Sequence, residues 1–295
     1  MTPMAGAVSE RTRRFDLTLK GGWPLALGFA VLAVPTFLAL ADEVWNREFG
    51  AHGPIVLATG AWLLWRQTEE FRKEGVRGNP AVTALLFLPS IAVYVFGRAY
   101  DFISLETAGL YGVGLAILHS LVGLRSMLRN WFPFFYLAFA IPPPQWLIDD
   151  ITAPLKHFVS YAATGPLEVV GIPLAREGVT IFVAQYQLLV EDACSGVNSL
   201  IGLMAISLLY IYLMHRTSVA YAALLALLVV PIAVLANILR IIVLILLTYF
   251  FGDGVAQGFS HELAGLFLFA TALLLVFALD KAIHAGWRRI RRGEA

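Results

Sequence analysis

Residues 190–199 combine the residue types that nucleophilic chemistry requires. They include Cys194, which is the only cysteine of the chain, and two adjacent carboxylates, Glu191 and Asp192. A long apolar run begins directly after this stretch, so Cys194 is expected at the mouth of a helix. The positive end of a helix dipole favours the thiolate, which is the nucleophilic form of cysteine. The pattern indicates a reactive cysteine; a small side chain packed between helices is the alternative.

Arg240 is the second residue that could take part in a reaction. It lies between Leu239 and Ile241 in an apolar run, and a charge within a membrane segment is costly and usually functional. Asn237 lies three positions earlier, on the same helical face. The alternative is that the Arg240 side chain only extends to the lipid headgroups.

His261 is the third candidate, because histidine titrates near neutral pH and is the usual partner of a cysteine nucleophile. An interfacial histidine without chemistry is the alternative. Glu191, Asp192 and Glu262 could orient His261 or Arg240, or could be ordinary carboxylates at helix starts. A zinc-protease motif would need a second histidine four residues after His261. Since glycine stands at that position, we exclude this motif.

The composition identifies an integral membrane protein. Of 295 residues, 59% are hydrophobic and only 14% are charged, whereas soluble domains have about 25% charged residues. A single cysteine excludes an intramolecular disulfide and a cysteine-cluster metal site. We expect no cofactor and no nucleic-acid partner.

The apolar runs predict an all-α, polytopic bundle of about eight transmembrane helices. They cover approximately residues 23–41, 51–65, 81–96, 104–124, 131–147, 197–214, 218–251 and 263–279. The seventh run is longer than the roughly 20 residues that one crossing requires. It could form one long helix or a helix that bends near Asn237 and Arg240.

Residues 148–192 interrupt this apolar pattern with proline, glycine and charged residues. Within them, residues 155–161 could form an interfacial amphipathic helix, and residues 178–190 have the β-branched and aromatic content of short strands. Because irregular backbone cannot face lipid, we expect an extracytoplasmic cap over one membrane domain. That domain would span residues 23–280, between basic tails at 1–22 and 281–295.

The distribution of charge predicts the orientation. With eight crossings both termini share one side, and that side would hold most of the 21 lysine and arginine residues. Basic residues are in excess on the cytoplasmic side, so we predict an N-in, C-in protein of the cytoplasmic (inner) membrane. Cys194, Arg240 and His261 would then share the periplasmic face. His52 and His157 would lie on the same side and are alternative bases.

The chain resembles the exosortase/archaeosortase family of membrane cysteine proteases and transpeptidases. The resemblance rests on Ala-Cys-Ser-Gly at 193–196, on Asn237 and Arg240 in the next span, and on His261 at the start of the last. It covers most of the chain and is clearest over residues 131–279. It implies an active site of Cys194, Arg240 and His261 on the outer membrane face. The substrates would be membrane-anchored proteins with a C-terminal sorting signal such as PEP-CTERM, composed of a short motif, a hydrophobic helix and a basic tail.

The expected reaction is acyl transfer through a thioester on Cys194. Hydrolysis, with water as the acceptor, is the nearest rival. A transporter or polysaccharide-export component that binds an anion at Arg240 is a rival of another class. A structural scaffold is a third, but it would leave Arg240 and His261 unexplained.

Overall fold

A computed structural model describes residues 19–46, 50, 52–189, 195–214 and 219–258, and parts of the backbone between 270 and 281. The helices are α1 (Leu19–Leu40), α2 (Gly53–Arg66), α3 (Thr68–Glu74), α4 (Pro80–Ala99), α5 (Ile103–Arg129), α6 (Phe132–Leu137), α7 (Gln145–Val169), α8 (Ser195–Met214), α9 (Val219–Phe251) and α10 (Asp253–Gly258). A π-helical turn (Ala41–Trp45) follows α1, and a 3-10 turn (Ala138–Ala140) follows α6. The strands are β1 (Leu174–Glu177), β2 (Thr180–Val183) and β3 (Tyr186–Leu189). The described chain is therefore mostly helical with one small sheet, as expected.

Four helices among the described residues are long and apolar enough to cross a membrane. They cover Trp23–Trp45, Pro80–Ala99, Ile103–Arg129 and Leu227–Phe251. These helices coincide with the first, third, fourth and seventh predicted spans, and they indicate a multi-pass membrane protein. The prediction of eight crossings with both termini inside is not tested by these helices, since both tails lie largely outside the described residues.

The predicted fifth span differs from the structure. Helix α6 contains 6 residues and is followed by a 3-10 turn of 3 residues. The three prolines at 142–144 separate this segment from α7, because proline lacks the amide that would continue a helix. Pro144 instead caps the start of α7 with an extended backbone. Residues 131–147 are thus two helical segments and not one continuous helix.

The chain contacts divide the molecule into two compact units. Unit 1 comprises Met1–Leu40 and Leu57–Ile141, and unit 2 comprises Ala41–Val56 and Pro142–Ala295. In unit 1, α4 and α5 form a closely packed helical hairpin. A Cβ atom on Gly109 would overlap the backbone of Tyr94, so glycine is what permits this close approach. Near the turn, buried Glu106 accepts hydrogen bonds from Thr36 Oγ1 at 2.7 Å and from Arg98 at 3.0 Å.

In unit 2, a three-stranded antiparallel meander packs against two helices. The strand order is β1-β2-β3, with Ile181 of β2 opposite Leu188 of β3. Gly178, between β1 and β2, has φ of +62°, a conformation that glycine adopts without strain. The core combines one stripe of α7, the inward side chains of β2 and one stripe of α9: Val159, Ala163, Leu167, Ile181, Val183, Ile241 and Ile245.

Candidate active site

Arg240 and Asn237 are the predicted site residues that the structure describes. Both lie on α9 and both are 1% exposed. Each takes part in polar or electrostatic interactions. Three residues separate them, so they share one face of the helix. The interpretation of Arg240 as a side chain that only reaches lipid headgroups does not fit, because its guanidinium is enclosed by protein.

Helix α9 is one continuous element of 33 residues with Pro231 inside it, so residues 219–251 are not divided by a break. It packs against α8, and only residues 215–218 connect the two, so the helices are antiparallel neighbours. Counted from that connection at 1.5 Å per residue, Arg240 and the first residue of α8, Ser195, each lie about 30 Å along their helices. Arg240 is therefore at the level where α8 begins.

One face of α9 beyond Arg240 is covered by protein, whereas Phe250 and Phe251 at its end are each 67% exposed. Ile241 and Ile245 pack against Val159 and Ala163 of α7 and against Ile181 of β2. The sheet and α7 therefore shield this face of the helix.

The turn after α9 lies next to the sheet. Gly252 has φ of +84°, and a Cβ atom placed there would lie 3.5 Å from the hydroxyl of Tyr186, at the start of β3. Ala256 of α10 packs with Leu244 of α9 and Leu188 of β3. The segment after α9 is thus helical over Asp253–Gly258, and it is held against β3, the strand that precedes Cys194 in the chain.

The other predicted site residues lie outside the described residues. They are Cys194, Glu191, Asp192, His261 and Glu262. In the chain, Cys194 immediately precedes α8, and His261 follows the end of α10 by three residues. All four described elements nearest to them, β3, α8, α9 and α10, belong to unit 2.

The alternative histidines have different environments. His52 is buried, and its side chain packs against Gly202, seven residues into α8. That contact lies about 10 Å along the helix axis from Ser195. His157 is exposed on α7, close to the β1–β2 turn at Gly178.

A polar stripe on α7 was missed at the level of sequence. Thr152, Lys156, Ser160 and Thr164 recur every four residues and so occupy one helical face. The three hydroxyl-bearing residues are buried. The hydroxyls of Thr152 and Ser160 have no hydrogen-bond partner among the described residues. The period of four was readable in the sequence, but the prolines within this segment obscured the helix.

A metal centre has no candidate among the described residues. No group of three histidine, cysteine, aspartate or glutamate side chains lies close enough there to hold an ion.

Comparison with protein families decides the class of the molecule. The family model described as transmembrane exosortase matches residues 45–278, which is most of the chain. The chain belongs to the transmembrane exosortase family. Comparisons with curated proteins and with solved structures gave no match. Exosortase membership suggests a membrane transpeptidase of the cysteine type, and the matched region includes α9 with Arg240 and the chain on both sides of α8.

Proposed function

We propose that this exosortase cleaves a C-terminal sorting signal at the outer face of the membrane and transfers the new C-terminus through a thioester. One observation carries the proposal. Arg240 is buried to 1% exposure; counting residues along the two helices puts it near the level where α8 begins, and Cys194 is the residue directly before that helix. A fixed cation near a helix start suits a thiolate and the oxyanion that it generates.

The identity of the nucleophile follows from the family and the composition. An exosortase is a cysteine-type enzyme, and this chain has one cysteine. Cys194 is therefore the candidate for the nucleophile. Its position before Ser195 would place the sulfur near the unpaired amides of the first turn of α8, which favour the thiolate.

The proposed reaction has two acyl-transfer steps. The Cys194 thiolate attacks the carbonyl carbon of the scissile peptide and forms a tetrahedral oxyanion. Collapse of this intermediate breaks the C–N bond, leaves a thioester on Cys194, and releases the C-terminal segment as an amine. An acceptor nucleophile, or water, then attacks the thioester and restores the thiol.

His261 would move the proton in the first step. As the general base it would take the thiol proton of Cys194, and as the general acid it would give that proton to the leaving amine. Asn237, Glu191, Asp192 and Glu262 are supporting candidates that would orient the imidazole or the guanidinium. Arg240 would stabilise the oxyanion, where loss of one donor typically costs about 2.7–4 kcal/mol of the activation barrier.

The proposed topology determines how the substrate would lie relative to the membrane. If α9 starts at the inner surface, Arg240 lies near the outer boundary of a hydrocarbon core about 30 Å thick. With eight crossings and both termini in the cytoplasm, Cys194 would face the periplasm of a cytoplasmic (inner) membrane. The substrate would be a membrane-anchored protein whose hydrophobic helix docks beside the bundle, with its basic tail inside and its cleavage motif, of the PEP-CTERM kind, outside.

Trapping of the thioester tests the mechanism. Membranes that contain the enzyme and a reporter with a tripartite C-terminus are treated with hydroxylamine, which attacks the thioester and leaves a hydroxamate on the reporter. We expect a hydroxamate at the new C-terminus with the wild-type chain and none with Cys194→Ala. Cleavage by the wild type that never yields a hydroxamate, at any hydroxylamine concentration, would contradict a thioester intermediate.

A further inference from the structure

Unit 1 contains a cavity that plays no part in the proposed reaction. Its volume is about 570 Å³, and it lies between the segment after α3, the start of α4 and the last part of α5. The polar side chains that line it include Arg77, Asn79, His119, Arg125, Ser126 and Arg129.

A break in α5 shapes this cavity. Gly123 has φ of +74° and ψ of 162° inside an otherwise helical segment, a backbone conformation that is nearly exclusive to glycine. A Cβ atom there would lie 2.5 Å from the carbonyl oxygen of Val76. The amide of Gly78 donates to the carbonyl of Ser120 at 3.2 Å. The segment after α3 is therefore fixed against the break, and the cavity is a built feature of unit 1.

The charge of the lining is positive. Three arginines face one carboxylate, Glu74, which pairs with Arg129 at 2.9 Å. Arg125 has no ion-pair partner among the described residues, and Arg77 takes part in an interaction of its own. The positive end of α4 adds to this field, because Asn79, the residue that caps α4, lines the cavity. The cavity therefore favours an anion.

A buried hydroxyl in the lining supplies the second observation. Ser126 is 4% exposed, and its hydroxyl has no hydrogen-bond partner among the described residues. A helical serine can usually donate to the carbonyl four residues earlier, but the break at Gly123 interrupts that turn. Leaving such a group unpaired is unfavourable. An anionic oxygen in the cavity would accept this hydrogen bond. His119 is already engaged, since its Nδ1 lies 2.9 Å from the Thr83 hydroxyl.

Exposed apolar side chains adjoin the charged lining. Val76 and Leu124 both line the cavity and are exposed, and Leu128 is exposed one turn after Leu124. An anion with hydrocarbon chains would cover these side chains, whereas a free ion would not. Basic pockets between membrane helices on the cytoplasmic side are typical sites for anionic lipid headgroups.

We propose that this cavity binds the phosphate of an acidic phospholipid in the inner leaflet. Arg125 and the Ser126 hydroxyl would contact the phosphate oxygens, and the acyl chains would lie along Leu124 and Leu128. The bound lipid would hold the segment around the break in α5 at the membrane surface. Its assignment to the inner leaflet rests on the topology proposed above, whereas anion binding in the cavity is independent of the catalytic mechanism.

Binding of a short-chain phosphatidylglycerol to the purified full-length protein in detergent tests this site. The probe is titrated against the wild type, Arg125→Gln, Ser126→Ala and Arg72→Gln, with native mass spectrometry as the readout. Arg72 is the matched control, because it is exposed on α3 and does not line the cavity. We expect about fivefold weaker binding for Arg125→Gln, about tenfold weaker binding for Ser126→Ala, and no change for Arg72→Gln. Thermal unfolding without lipid identifies any variant that is misfolded.

Two comparison ligands separate the sources of phosphate. Phosphatidylcholine with the same chains and inorganic phosphate should each bind at least about tenfold more weakly than phosphatidylglycerol if both the net charge and the chains contribute. Equal binding of inorganic phosphate would overturn the assignment to a lipid. An equal loss for Arg72→Gln and Arg125→Gln would show only diffuse surface charge and would overturn the site.

Discussion

At the scale of single residues, the guanidinium of Arg240 is a charged group in unit 2 whose burial carries a large desolvation cost. It is surrounded by apolar residues on α9 and is 1% exposed. A buried charge is retained only where neighbouring groups compensate for its desolvation. A long cation that only anchors a helix would extend to water instead, as Lys and Arg do near helix ends. Its burial is what a role in stabilising a thiolate or an oxyanion requires.

Arg240→Lys should separate these roles. Lysine keeps the charge but not the planar fork that gives two parallel hydrogen bonds. We expect processing of a tripartite reporter to fall by about 10²–10³-fold, while the protein still accumulates in the membrane. Arg176→Lys is the matched control, because Arg176 is exposed on β1 and lies over the ring of Tyr161; it should process normally. Wild-type turnover by Arg240→Lys would make Arg240 a structural residue.

A second residue-scale prediction concerns Glu106 in unit 1. Its carboxylate is buried and accepts from the buried Thr36 hydroxyl at 2.7 Å. Thr36→Val should lower stability by about 1.5–3 kcal/mol, because a hydrogen bond to a charged group is lost. Arg98→Gln should cost more than Thr36→Val, about 3–5 kcal/mol, because the buried Glu106 carboxylate then loses the cation that compensates for its desolvation. Thermal unfolding in detergent measures both, and the reverse order would contradict this description.

At the scale of elements, the α4–α5 hairpin is held together by the close approach of two backbones. A Cβ atom on Gly109 of α5 would overlap the main chain of Tyr94 on α4, whereas one on Gly28 of α1 would meet nothing within 4 Å. Gly109→Ala should therefore force the helices apart and lower stability by about 1–3 kcal/mol. Gly28→Ala should be neutral or slightly stabilising. Equal melting temperatures for the two variants would show that the hairpin tolerates separation.

The strands and the long helices could be predicted from sequence. The β-branched and aromatic content of residues 178–190 predicted strands there, and β2 and β3 confirm them. Strand β1 was missed because Leu-Ala-Arg-Glu has no β-branched residue, and it forms by pairing with β2. The apolar run of residues 218–251 did not distinguish a long helix from a bent one, because the local pattern of apolar residues is the same for both.

Helix α7 shows where local rules were insufficient. Pro154 and Pro166 suggested interruptions, yet the helix runs through both. Its stripe of Val159, Ala163 and Leu167 is buried in the unit 2 core, and this burial outweighs the backbone hydrogen bonds that the prolines lose. Such tertiary compensation cannot be read from local sequence. Of the candidate site, the burial of Asn237 and Arg240 was likewise revealed by the structure, while Cys194 and His261 remain predictions.

At the scale of the whole molecule, the distribution of basic residues is the basis for orientation. Both tails are basic, and most of the remaining lysine and arginine residues lie in loops on the same predicted side. Single cysteines introduced as Thr12→Cys, Asp150→Cys and Gly293→Cys in a Cys194→Ala background test this. A membrane-impermeant maleimide applied to the periplasm should label only position 150. Labelling at position 12 or 293 would contradict the proposed orientation. It would mean that Cys194, before the start of α8, faces the cytoplasm.

The central claim concerns Cys194, and the C-terminus of a processed substrate tests it most directly. A secreted reporter with a short motif, a hydrophobic helix and a basic tail is co-expressed with the wild-type chain or with Cys194→Ala, and its intact mass is determined. We predict a truncated or transferred C-terminus with the wild type and an uncleaved tail with Cys194→Ala, at equal membrane levels of the two enzymes. The same processed mass with Cys194→Ala would contradict a cysteine nucleophile, and with it the acyl-transfer mechanism proposed for this exosortase.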